Sequence, residues 1–175
     1  MSQPAAEAPI LIAYDGSAHA RAAVAQAGRL LGGPAVIVSV WQSVRPAGGM
    51  ALAGLSEDVA RDAIAALDQA AEDEARACAE EGARLAAAAG LDATPRAVQS
   101  TGSIWGTIVD MADEEDARAV VLGSRGRSAI SAALMGSVSH GVAQHCRRPV
   151  LVVTAPEAGD GAAGPAPASG GGRDV

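Results

Sequence analysis

The sequence predicts an α/β fold organised on a mainly parallel sheet. Three observations carry that expectation. Residues 10–13, 119–122 and 150–153 are short, continuous apolar runs and 35–40 is apolar but for Ser39, the pattern of strands buried on both faces. Between them lie segments whose apolar residues recur at three- and four-residue steps, the period of helices. Strands alternating with helices assemble as a parallel sheet with right-handed crossovers, and such sheets bind ligands beyond the carboxyl ends of their strands. Asp15, Val40 and Gly123 fall at or just past those ends.

In chain order, residues 1–9 are small, polar and proline-containing and read as a flexible lead-in. The first strand is broken by Tyr14-Asp15-Gly16-Ser17, where Ser17 can cap a helix that stops near Gly32 and Gly33. After the second strand, residues 41–55 form a loop rich in glycine and alanine. The clearest helix spans 57–89, with Ala60, Ile64, Leu67, Ala71, Ala75, Cys78, Gly82, Leu85 and Ala89 on one stripe. Ser56 caps its start, acidic residues crowd its first turn and Gly90 closes it. Asp58, Asp62, Asp73 and Glu80 lie off the stripe and read as a solvated face, not a metal or acid–base cluster.

A weaker strand follows around 93–98, and Gly102-Ser103 opens a helix carrying Ile104, Ile108, Met111 and Ala112. The strand 119–122 runs into glycines, a helix extends from Ser137 to about Cys146, and Pro149 begins the last strand. From residue 155 the chain is glycine, alanine, proline and acids with no bulky apolar residue before Val175, which predicts a disordered tail. One domain, residues 10–154, is expected.

Composition narrows the function. The 175 residues suit one domain with a real core, but the 49% hydrophobic content leans on alanine, with no Phe and only Tyr14, Trp41 and Trp105 aromatic. A net charge of -7 argues against nucleic acid as a partner. All 13 basic residues are arginine, which removes a P-loop lysine and any lysine-based chemistry. Cys78 and Cys146 make neither metal-ligand spacing nor a disulfide framework. There is no secretory leader pattern and no run of the ~20 apolar residues that span a bilayer, so a cytoplasmic protein without membrane association is expected.

The strongest motif is Gly123-Ser-Arg-Gly126 followed after nine residues by Gly136-Ser137. A strand, a glycine-rich loop and a helix start form a phosphate site, because unpaired N–H groups and the helix dipole favour an anion that glycine lets approach. Arg125 and Arg127 add positive charge. The alternative is that these glycines only serve a turn and a close helix–strand contact.

These features resemble the universal stress protein family in its single-domain, ATP-binding bacterial form. The matching residues are Ile10-Leu-Ile-Ala-Tyr-Asp-Gly-Ser17, the G-x2-G-x9-G-S run at 123–137 and Arg148-Pro-Val-Leu-Val-Val153. The resemblance implies a five-stranded Rossmann-like parallel sheet with helices on both faces. It implies that Ala13, Tyr14 and Asp15 line the adenosine end and that Val40 offers backbone contacts to adenine. Gly123 and Gly126 would fold the loop over ribose and phosphates, with Arg125 and Arg127 at positions often polar or basic. Gly136, Ser137, Val138 and Ser139 would meet the phosphate tail through N–H and hydroxyl donors. ATP, with magnesium, is the implied ligand. A homodimer through Val150–Val153 is the implied assembly. Where relatives often carry a histidine, this chain has Ser39.

For Asp15, a bond to the nucleotide or a place near magnesium competes with plain turn chemistry. Residues 42–55 offer a lid, with Met50, Leu52 and Leu55 able to cover adenine and Trp41 able to stack. No catalytic set is found. His19, His140 and His145 fit helix surfaces, and Ser128 and Ser131 lack kinase surroundings. The leading expectation is therefore an ATP-binding stress-response regulatory module. The alternatives are a slow ATPase or autophosphorylating enzyme and a nucleotide-free dimeric interaction protein.

Overall fold

The computed structural model describes residues 7–43, 56–127 and 135–155. Five strands form one wholly parallel sheet: β1 (Ile10–Ala13), β2 (Pro34–Gln42), β3 (Asp92–Ser100), β4 (Ala119–Gly123) and β5 (Val150–Val153), in the order β3-β2-β1-β4-β5. Between them run α1 (Ala18–Leu30), α2 (Glu57–Ala88), α3 (Ile104–Glu114) and α4 (Ser137–His145). The predicted α/β class and parallel sheet are what the chain adopts.

The central strand explains the apolar runs. Ile10, Leu11 and Ile12 are fully buried because β1 pairs with β2 and β4 and is covered on both faces. On one face Ile10, Ile12, Tyr14, Ile37 and Val121 pack with Ala20, Ala23, Val24 and Ala27 of α1 and Ala86 of α2. On the other, Leu11, Val36, Val38, Val120 and Leu122 pack with Ile108, Met111 and Ala112 of α3 and Val142 of α4. Small residues let the helices close in without aromatic filler. A Cβ added at Gly82 of α2 would lie 2.7 Å from Ile37 Cγ2 and 2.9 Å from the Tyr14 ring.

Three serines start helices as anticipated. Ser17, Ser56 and Ser103 accept hydrogen bonds from the N–H groups of Ala20 (3.1 Å), Val59 (3.5 Å) and Gly106 (3.1 Å). At the end of α2, the Ala89 N–H donates to Leu85 and Ala86 carbonyls, and Gly90 follows at φ +86°, a left-handed stop.

Elsewhere the structure corrects the expected boundaries. β2 continues through Trp41 and Gln42, which pair with Gln99 and Ser100, so the following loop starts later than residue 41. β3 is longer than the apolar signal because it is an edge strand with mostly exposed or half-exposed side chains, where Pro95 is tolerated. The stripe of α2 is also displaced. Ala75, Ala79, Gly82 and Ala86 are buried, whereas Leu67 and Leu85 stay 49% and 37% exposed. The lead-in 1–6, the lid segment 44–55, Ser128, Ser131 and the tail 156–175 lie outside the described residues. Among the described residues no helix is long and apolar enough to cross a membrane.

Candidate functional site

A crevice opens where β1 and β4 lie side by side. The chain leaving β1 turns into α1 on one face of the sheet, and that leaving β4 leads to α4 on the other. Their loops diverge, leaving a cleft of about 500 Å³ beyond the strand ends. Ala13, Tyr14 and Asp15 reach it from β1, and Val40 from β2. Gly123, Arg125, Gly126 and Arg127 line it from β4 and the loop beyond. Gly136, Ser137, Val138 and Ser139 line it from the start of α4. All twelve residues singled out in the sequence therefore meet in one cavity.

Sequence reasoning missed the apolar wall of the cleft, formed by Ala20, Val38, Ile104, Ile108, Leu122 and Met135. Ile104 and Ile108 read only as a helix stripe, and their position at the start of α3, beside the strand ends, was the available signal.

The two loops are clasped by Asp15. Its Oδ1 accepts the N–H of Ser17 at 3.0 Å, and its Oδ2 accepts the N–H of Arg127 at 3.1 Å. The Ser17 hydroxyl donates to the Arg125 carbonyl at 3.3 Å. Turn chemistry is thus present, and the same carboxylate holds the glycine loop. Gly126 sits against the same carboxylate: a Cβ there would lie 2.8 Å from Asp15 Oδ2 and would force that side chain to shift. At Gly123 a Cβ would lie 2.7 Å from the carbonyl carbon and Cβ of His19, so this glycine serves close packing of β4 on α1.

The start of α4 is built differently from the other three helices. Its N-cap is Gly136, with no side chain to accept a hydrogen bond. The Gly136 N–H donates to the Ser124 carbonyl at 2.7 Å, and the first intrahelical bond is from His140 N to Gly136 O at 2.9 Å. Among the described residues no side chain caps the N–H groups of Ser137, Val138 and Ser139, all of which line the cleft. The Ser139 hydroxyl is buried and donates toward the carbonyls of Ser124 (2.9 Å) and Gly136 (3.0 Å). Its proton is thus directed at the loop carbonyls, and the Ser139 N–H is left without a side-chain cap among the described residues. Beside it the buried Ser124 hydroxyl has no partner among the described residues.

Behind the cleft, the Tyr14 hydroxyl donates to Glu81 Oε1 at 2.8 Å, and Arg21 pairs with the same oxygen at 2.9 Å. Burial first, and the Glu81 carboxylate second, push the Tyr14 phenol up to about 12. Hydrogen bonds from Arg21 and Tyr14 hold Glu81 below the usual carboxylate range. Tyr14 thus enters the cleft from the end of β1 while its hydroxyl is tied to α2. The carbonyl of Tyr14 accepts from the buried Ser39 hydroxyl at 2.6 Å and lies 3.9 Å from Cys78 Sγ. Burial raises the Cys78 thiol above its ordinary value.

Among the described residues none of the histidines lines the cleft, and no group of three His, Cys, Asp or Glu could hold a metal. His140 and His145 are exposed, and the latter stacks on Trp105 with ring centres 4.4 Å apart.

Solved structures share this architecture. A universal stress protein from Archaeoglobus fulgidus in complex with dAMP is 26% identical, with a TM-score of 0.55 over 83% of this chain and 96% of that one. A universal stress protein in complex with cAMP is 28% identical, with a TM-score of 0.57 over 85% of this chain and 97% of that one. Hypothetical protein MJ0577, 21% identical, matches with a TM-score of 0.67 over 83% of this chain and 94% of that one, a likeness of fold alone. Comparison with curated proteins gave no match. The profile of the universal stress protein family matches residues 8–154, and together with this sheet order and cleft it makes the chain a member of that family.

Proposed function

We propose that the chain is an ATP-binding regulatory module, with magnesium accompanying the phosphates. The observation that carries this reading is the uncapped start of α4, whose three N–H groups share a cleft with Arg125 and Arg127. The apolar wall of Ala13, Val38, Val40, Ile104 and Ile108 suits an adenine ring, and the phosphates then run toward Gly123–Arg127 and the α4 start. The dAMP and cAMP complexes of the two related proteins support an adenine nucleotide. Asp15 is the one carboxylate among the described lining residues. Each of its oxygens has accepted a single N–H, which leaves lone pairs for a magnesium ion held mainly by phosphate and water.

A homodimer and a cytoplasmic setting belong to the same proposal. β5 lies at the sheet edge with Val150, Leu151 and Val152 only half-buried, an edge that a second copy of the strand would cover. The two free cysteines fit a reducing compartment. Sedimentation equilibrium tests the dimer, and a monomeric mass at high concentration would remove it.

The deciding experiment is calorimetric titration of magnesium-ATP into nucleotide-stripped protein, with Gly136→Asp as the control. Micromolar binding, about -8 kcal/mol, that disappears in the variant is the expected result. Absence of heat, with no adenine nucleotide released on denaturing fresh protein, would sink the assignment in favour of a partner-binding protein. Phosphate release above background and lost on Ser137→Ala would instead make it a slow ATPase.

A further inference from the structure

Arg127 lines the cleft, but its side chain is held from outside it. Its backbone N–H is fixed by Asp15, while its Nη1 donates to Glu74 Oε1 at 2.7 Å. Glu74 belongs to α2, and no residue of α2 lines the cleft among those described. The next arginine on α2, Arg76, is occupied by Glu72 and Asp73, so Glu74 pairs across to the glycine loop.

This pairing is set by helix register. Glu74, Cys78 and Glu81 follow one another at i, i+4 and i+7 on one face of α2. Cys78 lies 3.9 Å from the Tyr14 carbonyl and Glu81 accepts the Tyr14 hydroxyl. Gly82, beside Glu81, packs with no room for a Cβ against Ile37 and Tyr14. The helix is thereby locked at its buried end, and Glu74 stands one turn further on, opposite Arg127.

We propose that Glu74 gates the phosphate end of the cleft, holding the Arg127 guanidinium until a polyphosphate takes it over, and so weakens the grip on a triphosphate while leaving that on a monophosphate untouched. This rests on the nucleotide reading above. Both partners are well exposed, 64% and 66%, so the pair is weak enough to exchange. A phosphate tail offers the same guanidinium more negative charge and more acceptor oxygens. A monophosphate satisfied at the α4 start gains nothing by breaking the pair.

The test is calorimetry of nucleotide-stripped full-length chain with ATP, ADP and AMP, for wild type, Glu74→Gln, Arg127→Gln and the double variant. Glu74→Gln should tighten ATP by about two- to fivefold, the scale of one exposed ion pair, and leave AMP unchanged. The gain should vanish in the Arg127→Gln background and shrink as salt screens the competition. An equal gain for AMP, a gain that survives Arg127→Gln, or no change at all overturns the gate. Wild-type protein that binds none of the three overturns the nucleotide reading itself, and the gate with it.

Discussion

The carboxylate of Asp15 and the backbone N–H of Arg127 meet at 3.1 Å, joining the loops after β1 and β4 across 112 residues of sequence. The same side chain orders its own turn through Ser17. One residue therefore shapes both lips of the crevice, and the glycine loop begins at a fixed point instead of hanging free from β4.

Asp15→Ala should loosen that point. Its two charge-assisted bonds, a part-buried one from the Ser17 N–H and an exposed one from the Arg127 N–H, are together worth about 1–2 kcal/mol, so urea unfolding should register a loss of that order. Nucleotide affinity should fall by about tenfold as Gly126 and Arg127 lose their position. Asp15→Asn, which keeps one acceptor oxygen, should fall between the two.

Gly123→Ala and Gly126→Ala should separate packing from binding. At Gly123 the added methyl meets the main chain of His19, which cannot step aside, and overpacking of this kind costs about 1–3 kcal/mol. At Gly126 it meets only the Asp15 carboxylate. Thermal melts should show the larger drop for Gly123→Ala, and titration the larger loss of affinity per unit of stability for Gly126→Ala.

Gly136→Asp should abolish nucleotide binding without unfolding the protein. Gly136 already has the extended backbone of an N-cap, φ -76° and ψ 164°, which any residue can adopt. An aspartate there caps the free N–H groups itself and adds a few tenths of a kcal/mol to α4. A melting point equal to or above wild type, with no ATP heat, is the expected pair of results.

Alkaline titration isolates Tyr14. Its folded value, about 12, lies above the ordinary 10.0, so the stability it confers is intact below pH 10 and lost as pH rises toward 12. Two units set a ceiling of about 3 kcal/mol. Lysine, which would otherwise titrate in the same window, is absent from the chain. Urea midpoints should fall between pH 10 and 12 in wild type and stay flatter in Tyr14→Phe.

Much of this architecture was legible in the chain. β1, β4 and β5 announced themselves as apolar runs because strands between two layers need apolar side chains on both sides. Ser17, Ser56 and Ser103 marked helix starts through a local bond that needs no tertiary partner. The glycine spacing pointed to residues that the fold gathers in the cleft. What stayed hidden was decided by long-range packing. In α2, alanine occurs on every face, so composition offers no contrast between Leu67, which is exposed, and Ala79, which is buried. β3 lacks an apolar signature because most of its side chains are exposed or half-exposed. The donation by the Ser139 hydroxyl to a loop carbonyl 15 residues back was beyond any local pattern.

The uneven burial of α2 has its own consequence. The helix runs for 32 residues, about 48 Å, yet its buried positions begin only at Ala75. One continuous helix therefore carries two local stabilities. Amide protons near Glu57 should exchange with solvent through fraying, whereas those near Gly82 should wait for the whole domain to open. Glu74 sits at the boundary, where a rod packed on the sheet gives way to a half-exposed one that Ser43 tethers at Asp68.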